Sequence, residues 1–352
     1  MNIHLIRILV LILFCGLAPG GSFAQKQQRL PECSIVYSAR DSAAIKDYRT
    51  NAKVIRSMVN RLVLAVTGQK DLVQAWNSLV SPNDVIGIKI SAAGGELFTT
   101  HRDVVNAIVD GLVAAGHPRN GIIVWDRSLD GIQEAGYRPG EEGYQLRAIT
   151  PKDGYDPNAI FTGPIAGKLI WGDLEFRSDQ GTIPLNSDKE QVSDMSHFAR
   201  IVSEVTKIIN VPVMSESSLG GVAGCLYNVT LPNIDNWRRF AQPDSFGRSA
   251  IVEIYDNSLI GRKVVLNLMD GLVAQYAGGP ESQPNFALHH ATLLASKDPV
   301  AIDAIALQRM EEWRKKAMFP PIGKLADYIS LAAQARLGSA DLNRIEVVNV
   351  DR

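Results

Sequence analysis

Cysteine is nearly absent: there are 3 in 352 residues, Cys15, Cys33 and Cys225, and no two form a Cys-x-x-Cys pair. An iron–sulfur cluster or a Cys-rich zinc site is thereby excluded, since both need clustered thiolates. Long apolar runs are also missing. The most apolar stretch, Ile8 to Phe14, falls well short of the roughly 20 residues that cross a bilayer. Charge of one sign is not in excess either, with 36 Lys and Arg against 37 Asp and Glu. A balance this close to neutral leaves no electrostatic footprint for nucleic acid or an anionic membrane. No Gly-x-Ser-x-Gly elbow occurs, which removes the common route to a serine hydrolase on an α/β fold. The glycine pairs at 94–95, 220–221 and 278–279 lack the spacing of a P-loop or dinucleotide fingerprint.

What is present begins with a leader. Arg7 and the free amine precede the apolar run, Gly16, Pro19 and Gly20 follow it, and Ser22-Phe23-Ala24 stands before Gln25. This order of charged, apolar and small residues predicts a signal peptide over residues 1–24, cleaved after Ala24. Phe14 occupies the position before Cys15 where a lipidation signal wants a small residue. No Arg-Arg pair precedes the apolar run. The expectation is a periplasmic or secreted protein with no membrane segment after cleavage. An oxidising compartment would permit a Cys33–Cys225 bond, but spacing cannot show that the two approach.

The rest, 25–352, reads as one α/β domain. Hydrophobic residues make up 46% and charged residues 21%, as in an ordinary globular interior. Val54, Ile55, Met58, Val59, Leu62, Val63 and Val66 recur at helical spacing, and Asp71 to Leu79 reads as a second helix. Asp84 to Ile90 then reads as a buried strand, residues 100–115 as a helix opened by a Thr100 cap with Asp103 in the capping-box position, and Gly121 to Asp126 as the next strand. Strand, helix and strand over about forty residues make a right-handed βαβ unit. Residues 127–190, rich in Gly, Pro and Asp, read as an irregular insertion, with short strands at Lys168 to Ile170 and Leu174 to Phe176. Further strands at Ile208–Val213, Val264–Met269, Ala291–Ala295 and Ile345–Val350 alternate with helices near Phe198–Thr206, Ile251–Asn257, Pro299–Lys316 and Leu325–Leu337. The alternation predicts a mainly parallel sheet with helices on both faces.

Several of these segments together carry a resemblance. Val85-Ile-Gly-Ile-Lys89, Thr100-His101, Ile123-Val-Trp-Asp126, Ile208-Ile-Asn-Val-Pro212, Asp270-Gly271, Gly278-Gly-Pro280, Ser296-Lys-Asp-Pro-Val-Ala-Ile-Asp303 and the closing Ile345-Glu-Val stand in order. The set, from about residue 84 to the end, resembles the bacterial family called domain of unknown function 362. The resemblance implies an α/β fold, in a family with many exported members. Some of its members carry ferredoxin-like cysteine motifs that this chain lacks. It also implies a departure: where the family usually has Lys, His and Lys, this chain has Ser215, Ser217 and Tyr227, while Asn228 is retained. Loss of three cationic or titratable groups implies altered or absent chemistry at those positions.

In an open parallel sheet, ligands sit beyond the carboxyl ends of the strands. That rule collects Lys89, Ser91, Gly94, Gly95, Thr100 and His101 after one strand, Asp126 with Arg127 after the next, and Ser215 and Asp270 after later ones. Lys89 beside a Gly turn and a helix start suits an anion. The expected ligand-binding set is Lys89, Ser91, Gly94, Gly95, Thr100, Ser215 and Asn228, holding a small polar or anionic molecule. The alternative is a periplasmic enzyme, perhaps metal-assisted, using Asp126, Asp270, Asp303 and His101. Asp298-Pro299 reads as a helix cap followed by Pro at the first helical position. Asp303, amid Val300, Ala301, Ile302 and Ile305, needs a partner because a carboxylate among apolar neighbours is costly. His289-His290 could share a metal only where the strand is irregular, since neighbours point to opposite faces.

Overall fold

The computed structural model describes residues 33–176, 191–241 and 247–351. The expected leader, 1–24, lies outside the described residues. In chain order, β1 (Ser34–Arg40) leads to a small hairpin, β2 (Ile45–Lys46) and β3 (Arg49–Thr50), and then to α1 (Ala52–Thr67) and α2 (Leu72–Leu79). The βαβ winding follows with β4 (Ile86–Ile90), α3 (Arg102–Ala114), β5 (Ile123–Asp126), α4 (Leu129–Glu134) and β6 (Gln145–Ala148). A ribbon of β7 (Tyr155–Lys168) and β8 (Val192–Ala199) comes next, then α5 (Arg200–Glu204), β9 (Lys207–Val211), β10 (Val213–Ser217), β11 (Gly221–Val222) and α6 (Cys225–Val229). The chain finishes with α7 (Gly247–Asp256), β12 (Val264–Gln275), β13 (Ala287–Ser296), α8 (Pro299–Lys316), α9 (Asp327–Gln334) and β14 (Ile345–Asn349).

Among the described residues, ten strands join one sheet along the path β14-β1-β13-β12-β9-β4-β5-β6, with β10 also pairing with β12 and β11 pairing with β10. Along the path only β13 runs against its neighbours, antiparallel to both β1 and β12; the other pairings are parallel. Apolar side chains alternate between the faces, as the two-residue period of a strand requires. Ile88, Ile90, Val124, Ile209 and Leu268 pack with α1, α2 and α3 on one side. Trp125, Ile208 and Met269 pack with α6, α7, α8 and α9 on the other. Burial on both faces explains why these strands read as near-continuous apolar runs.

Of the stretch expected as an irregular insertion, 127–190, the described part, 127–176, is more regular than composition implied. Its first part continues the sheet, because β6 pairs in parallel with β5. β7 extends over 14 residues despite Pro157, Gly163, Pro164 and Gly167. The β7–β8 pairing is broken between Tyr155 and Ile160 and between Thr162 and Gly167, and the two prolines fall inside those breaks, where no ladder donor is needed. Arg239 takes up carbonyls left there, donating to Ile165 O at 2.6 Å, to Phe161 O at 3.3 Å and to Asp194 O. The helix expected near Phe198 begins only at Arg200, since Phe198 and Ala199 complete β8.

Helix starts also depart from the local reading. Asp298 caps α8 as expected, accepting from Ala301 N at 2.9 Å with Pro299 at the first position. Thr100, in contrast, does not cap α3: His101 holds the cap position and makes no side-chain cap bond. The Thr100 hydroxyl instead accepts from Ser91 N at 2.9 Å and donates to Val211 O at 2.6 Å, stitching β4 to β9. Asp103 accepts from Thr50 Oγ1 rather than from its own helix start.

Asp303 resolves the question of its partner. From within α8 it accepts from the Cys225 and Leu226 amides and from the Tyr328 hydroxyl, so it caps α6 from another element. A Cβ on Gly224 would stand 2.2 Å from its Oδ1, which is why glycine precedes α6. Burial pushes the Asp303 carboxyl from its ordinary 3.8 up to about 6, against the pull of those donors. The folded state therefore holds this proton more tightly than the unfolded chain does. Its contribution to stability is full below the unfolded value of 3.8 and is lost as pH rises through about 6. Thermal melts of the wild type and of Asp303→Asn across that range test this: the stability difference in favour of the wild type should shrink as pH rises, and a pH-independent difference would count against it.

Candidate functional site

Strand register sets a polar line into the sheet. Lys89 lies opposite Trp125 on β5 and Asn210 on β9, and Asn210 lies opposite Asn267 on β12. Lys89, Asn210 and Asn267 therefore share the face covered by α6. The Lys89 ammonium is fully buried and spends its donors on Asp126 Oδ1 at 2.6 Å, Ile90 O at 2.7 Å and Asn228 Oδ1 at 3.1 Å. Asn228 donates to Asn210 Oδ1 at 2.9 Å, and Asn210 donates to Asn267 Oδ1 at 2.9 Å. Burial pulls the Lys89 pKa down, and the Asp126 charge opposes that pull. The expected role of Lys89 as a direct anchor for an anion is thus corrected: its three protons are already placed.

Above this line, at the carboxyl ends of β4, β5 and β10, lies a cleft of about 240 Å³. Ser91, Gly94, Asp126, Ser215 and Asn228 line it; Lys89, Gly95, Thr100 and His101 do not. Asp126 is held on both oxygens, by Lys89 and by Ala92 N at 2.7 Å, which ties the β4–α3 loop to the end of β5. Gly94 is set close to Phe98, whose carbonyl would lie 2.3 Å from a Cβ there, and Gly95 turns with φ +64. The glycines serve this tight loop.

Arg127, collected with Asp126 beyond the strand end but left out of the expected binding set, also belongs to the cleft. It directly follows Asp126 and lines the same cleft. Its guanidinium carbon lies 4.9 Å from the centre of the Trp237 ring, and its one hydrogen bond is a long one, 3.4 Å, to Leu231 O. Among the described residues no carboxylate pairs with it, and burial lowers its pKa. The signal available in the sequence was position alone: an arginine immediately beyond a parallel strand. Trp237, far along the chain, carried none.

Ser215, Ser217 and Tyr227 come together beside the cleft. Ser215 and Tyr227 line the cleft, Ser215 Oγ donates to Glu216 O at 3.2 Å, and the Tyr227 hydroxyl shares a hydrogen bond with Ser217. Burial pushes the Tyr227 phenol up to about 12, so it stays protonated across the neutral range. Glu216 accepts from Gly279 N at 2.7 Å, and burial raises its pKa.

The four residues of the enzymatic alternative are held in three separate arrangements. Asp126 belongs to Lys89 and Asp303 to α6. Asp270 Oδ2 accepts from the His101 amide at 2.8 Å and lies 2.9 Å from its ring Nδ1, while Oδ1 accepts from Leu272 N at 3.0 Å. Burial works hardest against the His101 imidazolium, but the charge and hydrogen bond of Asp270 together with the Asp103 charge outweigh it and raise the pKa. His289 packs its ring against Tyr48 at 4.4 Å, whereas His290 Nε2 lies 2.7 Å from Arg309. Among the described residues no three His, Cys, Asp or Glu side chains converge as a metal site. Both described cysteines are free, Cys33 exposed and Cys225 buried.

The ion pair under the cleft yields a stability prediction. Lys89→Met leaves the Asp126 carboxylate buried without its cation, and breaking such a pair costs roughly 3–5 kcal/mol. Urea unfolding should show that loss, partly recovered in the Lys89→Met/Asp126→Asn double variant. A single variant as stable as the wild type would remove the pair from its structural role.

Comparison with other proteins places the chain. The family described as "Domain of unknown function (DUF362)" matches residues 85–308. A solved structure of a Thermotoga maritima protein is similar, with 12% identity, a TM-score of 0.39 and coverage of 82% of this chain and 60% of that one. The lactate racemase apoprotein from Thermoanaerobacterium thermosaccharolyticum is similar at 10% identity and a TM-score of 0.33, over 76% of this chain and 56% of that one. This chain therefore spans less than two thirds of the length of either structure. No curated protein sequence matches it. The family match covers more than half of the chain and runs from β4 into α8, through every strand whose carboxyl end builds the cleft: the chain belongs to the family described as a domain of unknown function, DUF362.

Proposed function

We propose that this protein is exported, loses residues 1–24, and binds a small polar or anionic molecule in the cleft beyond β4, β5 and β10. The observation that carries the reading is Arg127, a guanidinium lining the cleft with no carboxylate partner among the described residues. A guanidinium has five donors in a fixed fork, and one long bond to a carbonyl leaves most of them unused. Stacking on Trp237 orients the group without consuming its N–H bonds. The hydroxyls of Ser215, whose proton goes to Glu216 O, and Tyr227 complete a neutral wall. This wall stands where the family resemblance implies Lys, His and Lys, so the cleft is suited to a less highly charged ligand than one bearing those cations.

Two measurements test the proposal. The first is the intact mass of protein recovered from the periplasm of an expressing bacterium, which should correspond to cleavage between Ala24 and Gln25. An uncleaved chain, or a lipid adduct on Cys15, would contradict export by this route. The second is native mass spectrometry with elemental analysis of the same material. A retained low-mass adduct without stoichiometric metal is expected, and Arg127→Met should lose it, because a charge-assisted bond is worth roughly 1.5–3 kcal/mol, or about ten- to more than a hundredfold in affinity. Stoichiometric metal with an adduct indifferent to Arg127 would favour the enzymatic alternative.

A further inference from the structure

The cleft's charge and lining narrow the ligand further, on the premise that it is a binding site. Among the described residues, two charged side chains line it, Asp126 and Arg127. The Asp126 charge is answered from below by the Lys89 ammonium, and both of its oxygens are already bonded, so Arg127 supplies the uncompensated charge among the described lining residues. A single guanidinium fork matches a single carboxylate, which takes two parallel N–H bonds. The Tyr227 phenol, protonated at neutral pH, stands near Arg127 and can donate to the same carboxylate. A phosphate monoester, with close to two negative charges at neutral pH, would bring a second charge toward Asp126, and no second free cation lines the cleft among the described residues.

Ser91, Ser128, Ser215 and Asn228 add a few neutral polar groups, and the rest of the lining is apolar. Phe98, Val213, Leu219, Leu231, Pro232 and Trp237 form most of the remaining walls. A polyhydroxylated or polyanionic molecule would bury its polar groups against them without partners, at a cost that selects against it. The volume of about 240 Å³ lies below the roughly 300–1,000 Å³ of drug-sized pockets, which fits one ring or a short branched chain. We infer that the ligand is a small monocarboxylate with a hydrocarbon body, its carboxylate on Arg127 and its body against Trp237 and Leu231.

Calorimetric titration of the leader-free protein with acetate, butyrate, phenylacetate, the neutral isostere phenylacetamide and inorganic phosphate tests the inference. Affinity should rise from acetate through butyrate to phenylacetate. Phenylacetamide and phosphate should each bind at least about tenfold more weakly than phenylacetate, and Arg127→Met should weaken phenylacetate about ten- to more than a hundredfold. The amide comparison is made on the wild type, so the test survives if the variant fails to fold. Phosphate binding as tightly as phenylacetate, and dependent on Arg127, would overturn the monocarboxylate class while leaving an anion site in place. Phenylacetate and phenylacetamide binding equally, or no carboxylate binding at millimolar concentration, would also overturn it. Anion binding unaffected by Arg127→Met would remove the functional reading together with the inference.

Discussion

The arrangement rests on a fully buried ammonium. Taking a charge of this size out of water costs several kcal/mol even after relaxation, and only close, well-directed acceptors repay it. Lys89 finds three, from its own strand, from the end of β5 and from α6. Each is thereby constrained. The Asp126 carboxylate must face inward, α6 must lie against the sheet at Asn228, and the loop after β4 must return so that Ala92 can reach the second Asp126 oxygen. The floor of the cleft is the geometrical result of satisfying one cation. Because that cation is already neutralised by Asp126, the positive charge that directly follows Asp126, at Arg127, is left for the space above.

Carboxylates in this protein serve mainly to finish helices and loops. Asp298 does so locally, and it also accepts from Ser34 and from the Ser339 amide, joining α8 to β1 and to the segment after α9. Asp303 and Asp270 do so from a distance, closing α6 and the start of α3. A buried acid near a strand end has the sequence signature of a catalytic group whichever task it performs, since both need a carboxylate removed from water beside polar partners. Its partners decide between them: amide and hydroxyl donors occupying the oxygens leave no open position for a substrate.

The fold was legible where periodicity was strong. The stripe from Val54 to Val66, the apolar run at β4 and the Asp298-Pro299 start of α8 match the observed elements, because local pattern and tertiary burial agree there. The ribbon of β7 and β8 was not legible. Its prolines and glycines argue against a strand, and the feature that accommodates them, the Arg239 side chain bonding to exposed carbonyls, comes from more than seventy residues away. The Thr100 cap failed for a similar reason: Thr100 has the chemistry of a cap, but Val211, 111 residues on, competes for its hydroxyl. Of the residues collected by the rule that ligands sit beyond strand carboxyl ends, Ser91, Gly94, Asp126, Arg127 and Ser215 line the cleft, and Asn228, expected from the family resemblance, lines it too. The rule could not show that Lys89 and Asp126, 37 residues apart, would pair with each other, nor that Trp237 would turn toward Arg127.

The placement of β1 has a consequence for the order of assembly. This first strand of the described chain is not at an edge: it lies between β13 and β14, the last two strands of the described chain. Residues 34–40 therefore have no strand partners until residues 287–349 have emerged, and the entropy of closing that long loop must be met before any of the pairing repays it. Until then β1 has α1 to pack against but no ladder to join, so the sheet of a nascent chain closes around it only once β13 and β14 have been made.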